Sequence, residues 1–196
     1  MQSPLHLISN SPAGLRIREH HKSKHLAGFL ALLLIPLFVG CAGIRSENMV
    51  PPGASFGAHH NRSVALKVSG GSPGVQWFSV TITPGQFEEA IRLSIENSKL
   101  FRQITDQAGA DCLMSVNLAY AGSHPGFTMN AWVNATWTLN ERATGRAIWT
   151  KDVSTQGSAT MGDAVMGAHR QCMALERAAK ANIESALSSL GQSKLP

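Results

Sequence analysis

Apolar and polar side chains alternate most regularly in the second half of the chain. Met129, Ala131, Val133, Ala135, Trp137 and Leu139 share one parity, and Asn130, Trp132, Asn134, Thr136, Thr138 and Asn140 share the other. A period of two is that of a β-strand with one face buried. The break NERATG, Asn140 to Gly145, predicts a hairpin whose return strand carries Ile148, Trp149 and Val153. Two further strands are predicted upstream. RSVALKVSGG places Val64, Leu66 and Val68 on one face and ends at Gly70 and Gly71, and DCLMSVNLAYAGS places Met114, Val116, Leu118 and Tyr120 on one face. The segment Val75 to Ile82, rich in β-branched and aromatic residues, reads as a short additional strand or an extended arm.

Between these strands the period changes to that of a helix. TPGQFEEAIRLSIENSKLF opens with Thr83 as N-cap, Pro84 at the first helical position and Gln86 three after the cap, the arrangement of a capping box. Glu88 and Glu89 complement the helix dipole, and Phe87, Ala90, Ile91, Ile95 and Ser98 form one face. A second, longer helix is predicted from a cap at Asp163 to a stop at Gly191, with its stripe at Cys172, Leu175, Ala179, Ile183, Leu187 and Leu190. The order of elements predicts an α+β fold: an antiparallel sheet of about four strands with two helices packed on one face.

A different pattern precedes the domain. Leu26 to Val39 is an apolar run of 14 residues without a charge, shorter than the roughly 20 that a spanning helix needs. Arg16, Arg18, Lys22 and Lys24 lie before it, so residues 1–40 read as an export signal. The run ends in Phe38-Val39-Gly40-Cys41, which resembles the lipobox of bacterial lipoproteins, although Phe38 stands where Leu is usual. That resemblance implies cleavage after Gly40, acyl chains such as palmitate on Cys41, and membrane attachment through it. Ala42, where Asp would signal retention, implies the outer membrane, with the domain facing the periplasm. Residues 41–61, rich in Gly, Pro and Ser, read as a flexible tether, residues 62–191 as one domain and 192–196 as a tail.

Removing the signal changes the charge balance. The whole chain has formal net charge +5, but the part from Cys41 keeps 13 basic and 11 acidic side chains, a net +2. With no Lys/Arg run and no aromatic RNA-binding motif, nucleic acid is not an expected partner.

The elements also carry a family resemblance. A strand, a helix ending in SKLFRQI, the ADCLMSVNL strand, the LNERATGRAIWTKDV hairpin and an Ala-rich closing helix resemble small envelope lipoproteins of the YajG, LpoB and CsgG-like group. The auxiliary lipoproteins of lipid-transporting ABC systems share the plan. The resemblance covers roughly residues 62 to 190 and implies a non-enzymatic module that works by binding an envelope partner.

Catalytic and metal chemistry find little footing. GGSPG, Gly70 to Gly74, matches G-x-S-x-G, with Asp163 and His169 downstream, which would make Ser72 the nucleophile of a small hydrolase. That mechanism needs a strand-to-helix elbow, whereas Pro73 and Gly74 lead into extended sequence. His59, His60, His124 and His169 have no metal-ligand spacing, and Cys112 and Cys172 form no C-x-x-C, so neither metal nor cofactor is expected. In an oxidising compartment Cys112 and Cys172 are candidates for a disulfide, or else two buried thiols. Trp132, flanked by Asn130 and Asn134 on the polar side of its strand, is a candidate partner contact, or else a structural residue covered by a neighbouring loop.

Overall fold

The computed structural model describes residues 43–53, 55–71 and 80–196. Strands β1 (His60–Gly70), β2 (Phe101–Ile104), β3 (Cys112–His124), β4 (Met129–Glu141) and β5 (Ala147–Ala159) form one sheet in the order β2-β1-β3-β4-β5. Helices α1 (Pro84–Ser98) and α2 (Gly167–Gly191) complete an α+β fold. The sheet is mixed. β1 runs parallel to both β2 and β3, and the long ladders of β4 with β3 and β5 are antiparallel. The α+β class and the two helices are as expected, and five strands stand close to the expected count of about four; the expected antiparallel sheet is corrected to a mixed one, because β1 pairs in parallel. β2 is only four residues long with Arg102 and Gln103 exposed, so it has no alternation to reveal it. Of the segment Val75 to Ile82, residues 75–79 lie outside the described residues, and Val80 to Ile82 are not strand.

The core lies between the sheet and the helices. All six apolar positions of β4 are buried, and Trp137 ties the layers together. Its ring meets Phe87 of α1 edge-on, with centroids 6.1 Å apart. Its Nε1–H donates to Asn182 Oδ1 of α2 at 3.0 Å. Asn182, fully buried, donates in turn to the carbonyls of Val133 at 3.1 Å and Val153 at 3.0 Å. A buried amide is tolerated when its partners are in place, and here it pins α2 to two strands at once. α2 also packs unusually close to β5: a Cβ on Gly157 would stand 2.2 Å from the Ala174 carbonyl oxygen.

The capping box of α1 forms as the sequence indicates, Gln86 N–H donating to Thr83 Oγ1 at 3.2 Å and Thr83 N–H to Gln86 Oε1 at 3.0 Å. α2 departs from expectation at its start. Its N-cap is Met166, and Asp163 instead closes the preceding turn, accepting from the Thr160 N–H at 2.8 Å and pairing with Arg177 at 2.7 Å.

Residues 44–53, 55 and 56 do not behave as a flexible tether. Ile44, Met49 and Phe56 are buried in the core, and a 3-10 turn spans Ser46–Met49. Glu176 of α2 receives the Arg45 N–H and the Asn48 amide, each at 2.9 Å, while Gln86 donates to the Ile44 carbonyl at 3.0 Å. Burying a side chain the size of Met or Phe contributes roughly 1.5–3 kcal/mol, which offsets the ordering of an otherwise Gly- and Pro-rich arm. The arm meets the end of α2, where the Ala58 N–H bonds the Gly191 carbonyl at 2.9 Å.

Candidate functional site: the open face of the sheet

Both helices lie on the face of the sheet that bears Trp137, and the opposite face of β3, β4 and β5 is covered by neither. The β4 residues pointing there, from Asn130 to Asn140, are half-buried, and their β5 neighbours Ser154, Gln156 and Ser158 are exposed. Cross-strand hydrogen bonds organise this surface into a polar ladder. Ser154 Oγ donates to Asn134 Oδ1 at 2.7 Å, Thr136 Oγ1 to Asp152 Oδ1 at 2.6 Å, and Gln156 Nε2 to Asn130 Oδ1 at 3.4 Å. Trp132 stands between these rungs, opposite Gly122 of β3 and Gln156 of β5.

Trp132 has aromatic neighbours from β3 on this face. The β3–β4 register shifts between Leu118, opposite Ala135, and Tyr120, opposite Asn134, leaving Ala119 as the extra residue of a bulge. The shift reverses the parity of β3, so Tyr120 turns from the core face to the open face and Ala121 is buried in its place. The phenol lies over Gly122, where an added Cβ would come within 2.6 Å of its oxygen. His124 closes the other side, its ring edge-on to Trp132 at a centroid distance of 5.0 Å. Tyr120, His124 and Trp132 thus form an aromatic cluster set in small hydrogen-bonding residues. Aromatic side chains framed by polar groups on an ordered strand suit a protein contact, because they bury large area at low entropic cost.

The other sequence candidates disperse. Cys41 and Ser72 lie outside the described residues. Asp163 directs its carboxylate to Arg177 and Thr160, and His169 is exposed at the start of α2. Arg177 first, then the Thr160 amide and hydroxyl, hold the Asp163 carboxyl well below the usual range. No disulfide joins Cys112 and Cys172. Cys112 sits opposite Glu141 at one end of the sheet, whereas Cys172 lies on α2 just before Ala174, which packs on Gly157 opposite Ala131. Ten residues of β4 separate those levels, roughly 30 Å, far beyond bridging distance. Among the described residues no group of three His, Cys, Asp or Glu side chains could hold a metal. His59 and His60 instead contact the carbonyl oxygens of Lys99 and Leu190.

An open cavity of about 710 Å³ occupies the end of the sheet where β4 turns into β5. Arg62, Arg102, Asp111, Glu141 and Arg142 line it. Its charges are largely matched from within: Arg102 pairs with Asp111 at 3.3 Å, Arg62 with Glu141 at 3.8 Å, and Arg62 also contacts the Pro196 carbonyl oxygen. The Ser63 amide and hydroxyl, with lesser help from the arginines, hold Asp111 below the usual carboxylate range. No helix among the described residues is long and apolar enough to cross a membrane.

No family model matches the sequence, and no curated protein does. Solved structures similar to this chain include protein XCC0632 from Xanthomonas campestris, of family DUF330, at 8% identity and TM-score 0.48, covering 76% of this chain and 94% of that one. A PelC dodecamer from Paraburkholderia phytofirmans is similar at 13% identity and TM-score 0.44, with 74% and 95% covered. The lipoprotein GNA1162 from Neisseria meningitidis is similar at 12% identity and TM-score 0.37, with 50% and 83% covered.

Proposed function

We propose that this protein is a lipid-anchored, non-enzymatic binding or assembly module of the bacterial cell envelope. It is held in the outer membrane through acylated Cys41, faces the periplasm, and engages an envelope protein through the open sheet face around Asn130, Trp132 and Asn134. The observation that carries this reading is that face itself: an ordered polar ladder with Tyr120, His124 and Trp132 gathered toward its β3–β4 end and neither α1 nor α2 over it. The basic segment, short apolar run and Gly40-Cys41 junction support the anchor. Anchoring confines the module to one surface and raises its effective concentration toward partners there. The alternative, an auxiliary lipoprotein of a lipid-transporting ABC system, calls for an apolar groove, whereas the cavity at the β4–β5 turn is lined by charged side chains.

The test combines mass and partition. Expressed from its full gene in a bacterial envelope, the mature protein should begin at Cys41, carry acyl mass and sediment with membranes. Cys41→Ser should release it to the periplasm or leave it uncleaved. Cleavage after Gly40 with unchanged membrane partition of Cys41→Ser would overturn the anchor.

A further inference from the structure

The large hydrophobic side chains that stand exposed among the described residues are Phe127, Met161, Val165 and Met166, at 89%, 56%, 82% and 59%. All four fall at one end of the molecule. Phe127 is in the β3–β4 turn, and the other three are in the β5–α2 connection. Met129 pairs with Ala159 at that end, and a Cβ on Gly167 would lie 3.5 Å from Met129 Cε. Exposed apolar residues gathered in one place mark a surface that is covered in use.

The connection that carries them is braced. Arg170, itself 8% exposed, donates through Nη1 to the carbonyls of Ala164 at 3.0 Å and Val165 at 2.8 Å. Asp163 closes the turn through Thr160 and is clamped by Arg177. The backbone is thus fixed by buried and paired groups while Val165 and Met166 point outward.

The path of the chain indicates what covers them. Arg45 is hydrogen-bonded to Glu176, ten helical residues beyond Met166, which is about 15 Å along α2. Cys41 precedes Gly43 by two residues, at most about 7 Å of extended chain. A lipid on Cys41 therefore brings the bilayer to the half of the domain that bears the apolar end. The β4–β5 turn at Ala143 lies about 40 Å away along β4.

We propose that this end seats on the phospholipid leaflet that holds the anchor, with Phe127, Met161, Val165 and Met166 entering the boundary between headgroups and acyl chains. The proposal rests on lipidation of Cys41. A second membrane contact of this kind adds to the acyl anchor and turns a tether into a fixed orientation, with the strands of the open face rising from the membrane and the Arg62–Arg142 cavity pointing away.

The experiment uses the full acylated protein, its mass verified, reconstituted in phosphatidylethanolamine/phosphatidylglycerol vesicles with and without brominated acyl chains. Phe127→Trp and Ala143→Trp add a reporter at either end, and the parent supplies the background from native tryptophans. Bromine should quench the added emission at residue 127 severalfold more than that at residue 143. Equal quenching at the two positions on acylated protein overturns the docking and leaves the anchor standing. A blue-shifted but unquenched residue 127 overturns it too, because a protein surface then covers that end. Mature protein without acyl mass overturns the anchor, and the docking with it.

Discussion

The join between Trp137 and Asn182 holds the helices to the sheet, and its worth can be worked from its contacts. Trp137→Phe removes the Nε1–H and leaves Asn182 Oδ1, in a fully buried site, without its donor. A stranded buried acceptor costs about 1–3 kcal/mol, and the lost part of the indole adds about 1 kcal/mol of cavity. The expected cost is about 2–4 kcal/mol. Asn182→Leu strands the indole N–H and takes a donor from the Val133 and Val153 carbonyls, the former keeping the longer bond from Thr155 Oγ1, and should cost about 3–5 kcal/mol. Because both substitutions break the same hydrogen bond, the double variant should cost less than the sum by about 1–3 kcal/mol. Urea denaturation of the four proteins, all carrying Cys41→Ser for solubility, measures each term. Strict additivity, or a Trp137→Phe cost below about 0.5 kcal/mol, would refute the claim that this bond couples the layers.

Single sites supply three more tests. Trp137→Ala should destabilise the domain by roughly 3–5 kcal/mol, whereas Trp132→Ala should leave the melting temperature nearly unchanged and weaken partner capture from envelope membranes; equal unfolding by both would make the open face a second core. Peptide mapping of folded protein under oxidising conditions should yield no Cys112–Cys172 linked peptide, and recovering one would contradict the register that places the two sulfurs at different ends of the sheet. Asp163, whose carboxyl is held down by Arg177 and Thr160, stabilises the fold fully above its unfolded pKa of about 3.9 and loses that contribution as pH falls through the lower folded value. Melting temperatures below about pH 4 should therefore fall more steeply for the parent than for Asp163→Asn, and parallel curves would refute the clamp.

The elements that could be read from the sequence are those whose signal is local. The capping box at Thr83 and Gln86 needs only positions three apart, and the alternation from Met129 to Leu139 repeats often enough to define its own face. The parts that escaped depend on partners distant in sequence. β2 is a strand only because β1 lies beside it, and nothing in Phe101 to Ile104 alternates. The bulge at Ala119 leaves no mark in composition, yet it moves Tyr120 to the open face, so that part of the aromatic cluster was invisible. The arm hides three core residues, Ile44, Met49 and Phe56, among glycines and prolines at irregular spacing. Asp163 has the right chemistry for a helix cap, but Arg177, a residue of the helix itself, draws its carboxylate into the preceding turn. Of the site, Asn130, Trp132 and Asn134 were legible from parity alone, whereas His124 joins them only through the β3–β4 turn.

The central claim is that a lipid-anchored domain grips a protein through its open face, and photo-crosslinking inside cells tests it most directly. A benzoylphenylalanine placed at residue 132 of the full chain should give a discrete protein adduct in the membrane fraction. The same group at Ala143, on the far turn, should not give that adduct, and Cys41→Ser should diminish it. An anchored, folded protein that yields no adduct from residues 130, 132 or 134 would contradict the claim.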